Sequence, residues 1–228
     1  MRVKDLHPWD VAPKEARRIQ EQLAPKVSLK NKLRQNPKLI AGCDISTSRF
    51  SKTGYAGVVL LDATTLAPVD EFHLKGELGF PYVPGLLSFR EGPLLIELFR
   101  QMPTAPDLIF FDGQGLAHPR RFGLACHMGL VLGVPAIGVA KSLLTGTFAE
   151  PGTDKGACSP LLAEDGSRLG TAVRTRTACK PVFVSPGHAI DFETAAAWTL
   201  RATGKYRIPE PTRLAHSLVN RVRKSDAG

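Results

Sequence analysis

The segment Leu108-Ile109-Phe110-Phe111-Asp112-Gly113-Gln114-Gly115 closes a strongly apolar run on a carboxylate followed by glycines. Such a run delivers an acid from a buried strand to a place where a ligand must come close. His118-Pro119-Arg120-Arg121 follows within nine residues of the acid. An imidazole and two guanidinium groups beside a carboxylate suit a metal and a phosphate better than an apolar ligand. On its own, Asp-Gly after a strand also reads as an ordinary turn. Two further acids in comparable settings shift that balance. Leu39-Ile40-Ala41-Gly42-Cys43-Asp44 carries an acid near the end of a second apolar strand, with Ile40, Gly42 and Asp44 on one face. Burying it is expensive unless it is paired or bound to a metal. Pro81-Tyr82-Val83-Pro84-Gly85-Leu86-Leu87 is a stiff two-proline turn leading toward a helix that opens with Arg90-Glu91.

The elements that would position these acids follow from hydrophobic period and punctuation. A surface helix is predicted from Pro13 to about Ala24, stopped by Pro25, and strands over 39–47, 55–63 and 66–76, joined by short turns and hence antiparallel. A helix from Glu91 to Gln101 with Pro93 in its first turn leads to the strand ending at Asp112. A helix from Arg121 to Gly133 and a strand from Ala136 to Ala140, followed by Lys141, complete a βαβ unit. Asp112 and Lys141 should then emerge on the same sheet edge. Residues 150–168 read as loop. Strands from Gly170 to Arg176 and Pro181 to Ser185, a helix from Asp191 to about Ala202, and a helix opened by Pro211 complete the chain. Three antiparallel strands followed by helix-strand-helix-strand describe an α/β fold with a ribonuclease-H-like mixed sheet flanked by helices. In that order the first and fourth strands are neighbours, so Asp44 and Asp112 should meet.

Composition limits the chemistry. The 228 residues, 43% of them apolar, are expected to form a single domain over 1–228. No run is long enough to span a membrane and the N-terminus lacks the apolar core of a secretion signal, so a cytoplasmic protein is expected. The four cysteines are spaced too widely for a zinc knuckle or a CxxC pair and read as reduced thiols. Lys and Arg number 30 against 21 Asp and Glu, a formal charge of +9, which suits a polyanionic partner. Within so basic a chain an acidic cluster is conspicuous. Two carboxylates about 4 Å apart repel by roughly 4 kcal/mol near a protein surface, a cost that a divalent cation removes.

PYVPGLLSFREGPLL, FDGQGLAHPRRFGLACHMGL, GVAKSLLTGTF, FVSPGH and RIPEPTRLAH, in this order between residues 81 and 216, closely resemble the endonuclease V family, which nicks nucleic acid beside deaminated purines. The resemblance implies Mg²⁺ as cofactor, with Mn²⁺ able to substitute. It also implies hydrolysis of the second phosphodiester bond 3′ to hypoxanthine, leaving 3′-hydroxyl and 5′-phosphate ends, in DNA repair. By position, Asp44, Glu91 and Asp112 correspond to the family's metal-binding acids, His216 to its catalytic histidine and Lys141 to a lysine near the phosphate. Tyr82, flanked by Pro81, Val83 and Pro84, corresponds to the tip of a wedge that enters the duplex. The resemblance implies that the extruded base is held largely through backbone groups, and Gly85, Leu87, Gly113 and Leu124, with His118 and Arg120, are where it should lie. The expected partner is DNA containing deoxyinosine, with inosine-containing RNA as an alternative substrate, and a monomer is expected.

Other readings remain in view. His118 could orient a phosphate or bond backbone in a loop, His127 should pack, and His188 should lie in the turn before a helix. Arg120 and Arg121 are candidate phosphate contacts. Gly113-Gln114-Gly115 lacks the third glycine and distant acid of a dinucleotide fingerprint. A non-catalytic nucleic-acid module would have little reason to keep all three acids. A junction resolvase would have none to keep PYVP.

Overall fold

The computed structural model describes residues 1–47 and 51–226. Its centre is a nine-stranded mixed sheet in the order β3-β2-β1-β4-β5-β9-β8-β7-β6. β1 (Leu39–Thr47), β2 (Thr53–Asp62) and β3 (Pro68–Glu77) form the antiparallel meander expected from their turns. β4 (Leu108–Phe111) runs parallel to β1 on one side and to β5 (Ala136–Ala140) on the other. This is the ribonuclease-H-like arrangement. The β1–β4 ladder ends on the pair Cys43–Phe111, so Asp44 and Asp112 are the next residues of two strands whose usual separation is about 4.8 Å.

Strand β4 is buried on both faces because helices cover both. α2 (Leu87–Gln101) and α3 (Leu124–Leu132) pack with Ile109 and Phe111, whereas α4 (Phe192–Arg201) and α5 (Glu210–Ser225) pack on the side of Phe110 and Ile40. α1 (Pro13–Leu23) closes a third cluster through Ala16, Ile19 and Leu23 against Phe80, Phe89 and Phe122. No helix among the described residues is long and apolar enough to cross a membrane. The four cysteines are free thiols.

Several boundaries differ from the sequence reading. α2 begins at Leu87, not Glu91, which places Glu91 in the second turn and Pro93 inside the helix. Burial of Ser88 and Phe89 extends the helix back into what looked like the turn. α3 begins at Leu124 and not at Arg121, because Arg121 adopts a left-handed backbone at φ 51° that no helix continues. The stretch 150–168 is not loop throughout. It contains β7 (Cys158–Leu162) and the start of β8 (Arg168–Val173), with β6 (Thr147–Phe148) just before it. Pro160 masked β7, yet β6 pairs only with Leu161 and Leu162, leaving Pro160 beyond that ladder, where a proline is tolerated. β9 runs on from Val182 to His188, so His188 ends a strand and is not in a turn.

Helix α5 lies unusually close to the sheet. A Cβ added to Gly42 would fall 2.0 Å from the backbone of Pro211, and one on Gly57 would fall 2.6 Å from Val219. Gly57 is the register partner of Asp44, so the same gap in side chains that admits α5 lies beside the acid. Gly42→Ala is expected to push the start of α5 off the sheet and to destabilise the protein by about 3 kcal/mol or more. Thermal unfolding measures this, and an unchanged melting temperature would contradict the close packing.

Candidate active site

Three chain segments converge at the carboxyl ends of β1 and β4. Asp44 Oδ2 lies 2.8 Å from His216 Nδ1 on α5, while Asp44 Oδ1 accepts the Ile45 amide at 2.8 Å. Asp112, one residue beyond β4, bonds the ammonium of Lys141, one residue beyond β5. One ligand atom each from Asp44, Asp112 and His216 lies within 4.8 Å of the others. Both carboxylates are mostly enclosed, with side-chain exposures of 15% and 16%, whereas Lys141 and His216 are about half exposed at 45% and 56%. The two basic side chains thus face solvent and the acids line the floor.

The imidazole of His216 is held at both nitrogens. Asn220, one turn further along α5, donates from Nδ2 to His216 Nε2 at 3.0 Å, and Ser46 Oγ donates to Asn220 Oδ1 at 3.0 Å. An acceptor Nε2 leaves the proton of the neutral ring on Nδ1, where it is donated to Asp44. Sequence reasoning missed Asn220. The available signal was its i+4 spacing from His216 on a helix face.

Glu91 lies outside the tight trio, but it feels both acids. Burial, then Asp44 and Asp112, pushes its carboxyl up to about 8. Burial and Asp112 likewise raise Asp44, opposed by the bond from His216. Beneath them the Cys43 thiol is raised well above its ordinary value by burial and then by the same three carboxylates. Like charges crowded into a poorly solvated floor destabilise their ionised forms. Carboxylate oxygens held in this way fit a hard divalent cation, which prefers oxygen ligands.

A cavity of about 160 Å³ opens beside this cluster. Its volume is close to the roughly 150 Å³ that accommodates a single aromatic ring. Gly85, Leu87, His118 and Leu124 line it, as do Tyr82, Val83 and Pro84 of the two-proline turn. Leu87, Gln114 and Leu144 are shared with a second opening that reaches Gly113, Asp112 and Lys141. Tyr82 is 72% exposed, so its ring is presented outward and not packed in the core. Pro81 is also exposed.

The turn is pinned through the carbonyl of Gly85, which accepts from Gln20 Nε2 at 3.0 Å, His118 Nε2 at 3.0 Å and Arg120 Nη2 at 2.9 Å. Gln20 on α1 is buried, and its Oε1 takes a further bond from Arg120 Nε at 2.6 Å. Burial, and then Arg120, lowers His118 to about 4, so the ring is neutral. Of the two readings offered for His118, the bond to backbone is present. Arg120 spends its guanidinium on Gln20 and Gly85, and Arg121 bonds Asp165 and Ser167. His127 packs as expected, with its ring on Trp9 and its Nδ1 2.9 Å from Ser88 Oγ. His188 Nδ1 accepts the Ser28 amide at 3.2 Å.

A family model for endonuclease V matches residues 21–217. The chain belongs to the endonuclease V family. It is 50% identical over 218 residues to endonuclease V of Myxococcus xanthus, covering 96% of this chain and 92% of that protein. The crystal structure of endonuclease V from Streptomyces avermitilis superposes with a TM-score of 0.91 at 43% identity, covering 100% of both chains. The Ciona intestinalis endonuclease V crystallised with a 24mer DNA containing an inosine followed by a ribo-adenosine gives a TM-score of 0.80 at 27% identity, over 93% of this chain and 98% of that one. As an endonuclease V the protein is a hydrolase, and the paired acids described above are the part of it suited to a metal.

The raised carboxyl of Glu91 has a thermodynamic consequence. The folded protein holds a proton there that the unfolded chain, with an ordinary value of 4.5, has lost. Without divalent cation, stability should therefore fall as pH rises toward about 8. Buried histidines such as His118 act in the opposite sense, but only below their unfolded value near 6.5. Between about pH 7 and 8 the cation-free melting temperature should fall, and Glu91→Gln should flatten that slope and raise the melting temperature at pH 8 by about 2 °C or more. An identical slope in the variant would show that Glu91 is ionised throughout.

Proposed function

We propose that this endonuclease V recognises a deaminated base, chiefly hypoxanthine, extruded from DNA, and hydrolyses the second phosphodiester bond on its 3′ side, giving 3′-hydroxyl and 5′-phosphate ends. The observation that carries the reading is the juxtaposition of the Asp44–Asp112–His216 cluster with a ring-sized cavity beneath an exposed aromatic. The inosine-containing DNA bound by the Ciona protein supports the same substrate class, and inosine-containing RNA is the alternative to compare. The protein acts as a monomer in this reading, in DNA repair within the cytoplasm.

Asp44 and Asp112 would hold Mg²⁺, or Mn²⁺ in its place, with Glu91 alongside. The bound cation would polarise the scissile phosphate and lower the pKa of the attacking water. The chain's own groups do the rest. Lys141 stands on the solvent side of Asp112, where its ammonium can meet a phosphate oxygen. His216, fixed by Asp44 and Asn220, presents its ring at the rim, able to take or return a proton. Tyr82 substitutes for the stacking lost when a base leaves the duplex. Pro81 and Pro84 stiffen the backbone that presents it, lowering the entropy lost on insertion. Gly85, Leu87, Gly113, His118 and Leu124 enclose the base, and Arg120 anchors the wall through Gly85.

Asp112→Asn should abolish cleavage of a deoxyinosine duplex while leaving binding to it largely intact, because the amide keeps the shape and loses the charge that holds the cation. Nicking assays with and without Mg²⁺, paired with electrophoretic binding, read both effects. Near-normal nicking by the variant would remove Asp112 from the metal site.

Tyr82→Ala separates a wedge from a structural ring. The ring is exposed, so the melting temperature should barely change, whereas cleavage of inosine in a duplex should drop by about tenfold or more, with a smaller loss on single strands that have less stacking to replace. Equal losses on both substrates with a large fall in melting temperature would place the ring in the fold's support.

A further inference from the structure

We infer that Tyr206 is a stacking platform for an unpaired base of the cleaved strand on the 3′ side of the cut, with the cations around it meeting the neighbouring phosphates. The inference rests on the reading above for the direction in which that strand runs.

Tyr206 lies in the segment that joins α4 to α5 and is 49% exposed. One face of its ring is covered, since the Arg213 guanidinium stands 4.7 Å from the ring centroid. Arg213 is itself fixed, with Nε 2.9 Å from Glu210 Oε2 and Nη2 on the same oxygen. The segment is pinned again by Arg207, which donates from Nε to the Lys180 carbonyl at 2.8 Å and from Nη2 to the carbonyls of Pro181 at 2.7 Å and Lys141 at 3.0 Å. The Arg207 carbonyl accepts Thr175 Oγ1 at 2.7 Å. A half-open ring on a segment anchored in this way is already ordered, so a ligand that covers it loses little conformational entropy in doing so.

The surroundings of the ring select an anion. Lys180 and Lys205 are exposed and have no carboxylate partner among the described residues. Arg207 gives its guanidinium to carbonyls, which leaves its charge unpaired. An aromatic ring set among unpaired cations suits a single strand, whose bases stack on the ring while its phosphates meet the charges. A base within an intact duplex is stacked on both faces and has none to offer.

Position decides which part of the strand arrives there. Through Lys141 the segment reaches the sheet edge beside Asp112. Arg213 precedes His216 by three residues on α5, so the two share a helix face. Tyr206 therefore belongs to the α4–α5 side of the acids. The ring-sized cavity is built on the starts of α2 and α3, across the sheet from α5. A strand with its lesion in that cavity and its second 3′ phosphodiester at the acids continues toward α5, and Tyr206 is the exposed aromatic that it meets.

The test is equilibrium binding, without divalent cation so that nothing is cut, to single strands carrying one deoxyinosine. In one strand the nucleotides beyond the scissile bond carry bases, and in a second they are abasic, so both present the same phosphates. The wild type should prefer the first by about tenfold, Tyr206→Ala should bind the two within about twofold, and Tyr206→Trp should keep the preference. Each ratio is read on one protein sample, so a partly unfolded variant does not mimic the effect. A wild type indifferent to the downstream bases, or a Tyr206→Ala protein that still prefers them, would overturn the platform. A Tyr206-dependent loss that appears only with abasic sites 5′ of the lesion would overturn its placement. A strand with deoxyadenosine in place of deoxyinosine tests the lesion reading separately: equal affinity for the two would overturn that reading and the strand direction taken from it.

Discussion

The close approach of α5 to the sheet governs the geometry of the site. His216 can reach Asp44 only because β1 and β2 present glycines, Gly42 and Gly57, where other residues would hold the helix away. The helix then buries Ala215, Leu218 and Val219 while His216 and Asn220 remain on its outer side. The apolar burial that stabilises the fold and the hydrogen bond that orients a site residue come from one packing event. At roughly 25 cal/mol per Å² of apolar surface removed from water, the buried face supplies the free energy that holds a polar pair in place.

That packing also creates an electrostatic conflict. Two parallel strands end on acids at neighbouring positions, and α2 adds a third from the other face. Burial and mutual repulsion raise Asp44 and Glu91, and His216 relieves only Asp44. A fold under selection for stability alone would not gather carboxylates above a buried thiol. A site that exchanges their protons for a cation would.

The wall of the ring-sized cavity is organised by a different kind of contact. One carbonyl, that of Gly85, gathers an amide from α1, an imidazole and a guanidinium from the loop after β4. These bonds fix the base of the two-proline turn, so the exposed Tyr82 is displayed from a rigid support. The acid floor and the ring-sized cavity share Leu87 and Gln114 as a common wall.

The sequence by itself determined the meander, the βαβ unit and the acids. Apolar runs closed by Asp44 and Asp112, in three meander strands followed by a βαβ unit, describe a ribonuclease-H-like sheet, and the side-by-side placement of the two acids follows from that architecture. The exposure of Tyr82 followed from the family resemblance of PYVP, since two prolines stiffen the turn without deciding on which side the ring lies. What only tertiary structure decided depends on contacts between residues far apart in the chain. The start of α2 at Leu87 is set by burial of Ser88 and Phe89, and the start of α3 by a left-handed Arg121 held to Asp165 and Ser167. Gln20, Asn220 and Gln114 carried no motif signal that was read, because a buried amide is distinguished from a solvated one by its partners and not by its neighbours in sequence. Strand β7 was hidden by Pro160, whose cost disappears only because β6 stops short of it. Local chemistry and periodicity propagate along the chain and can be read there; hydrogen-bond satisfaction and close packing are settled between segments, and require the fold.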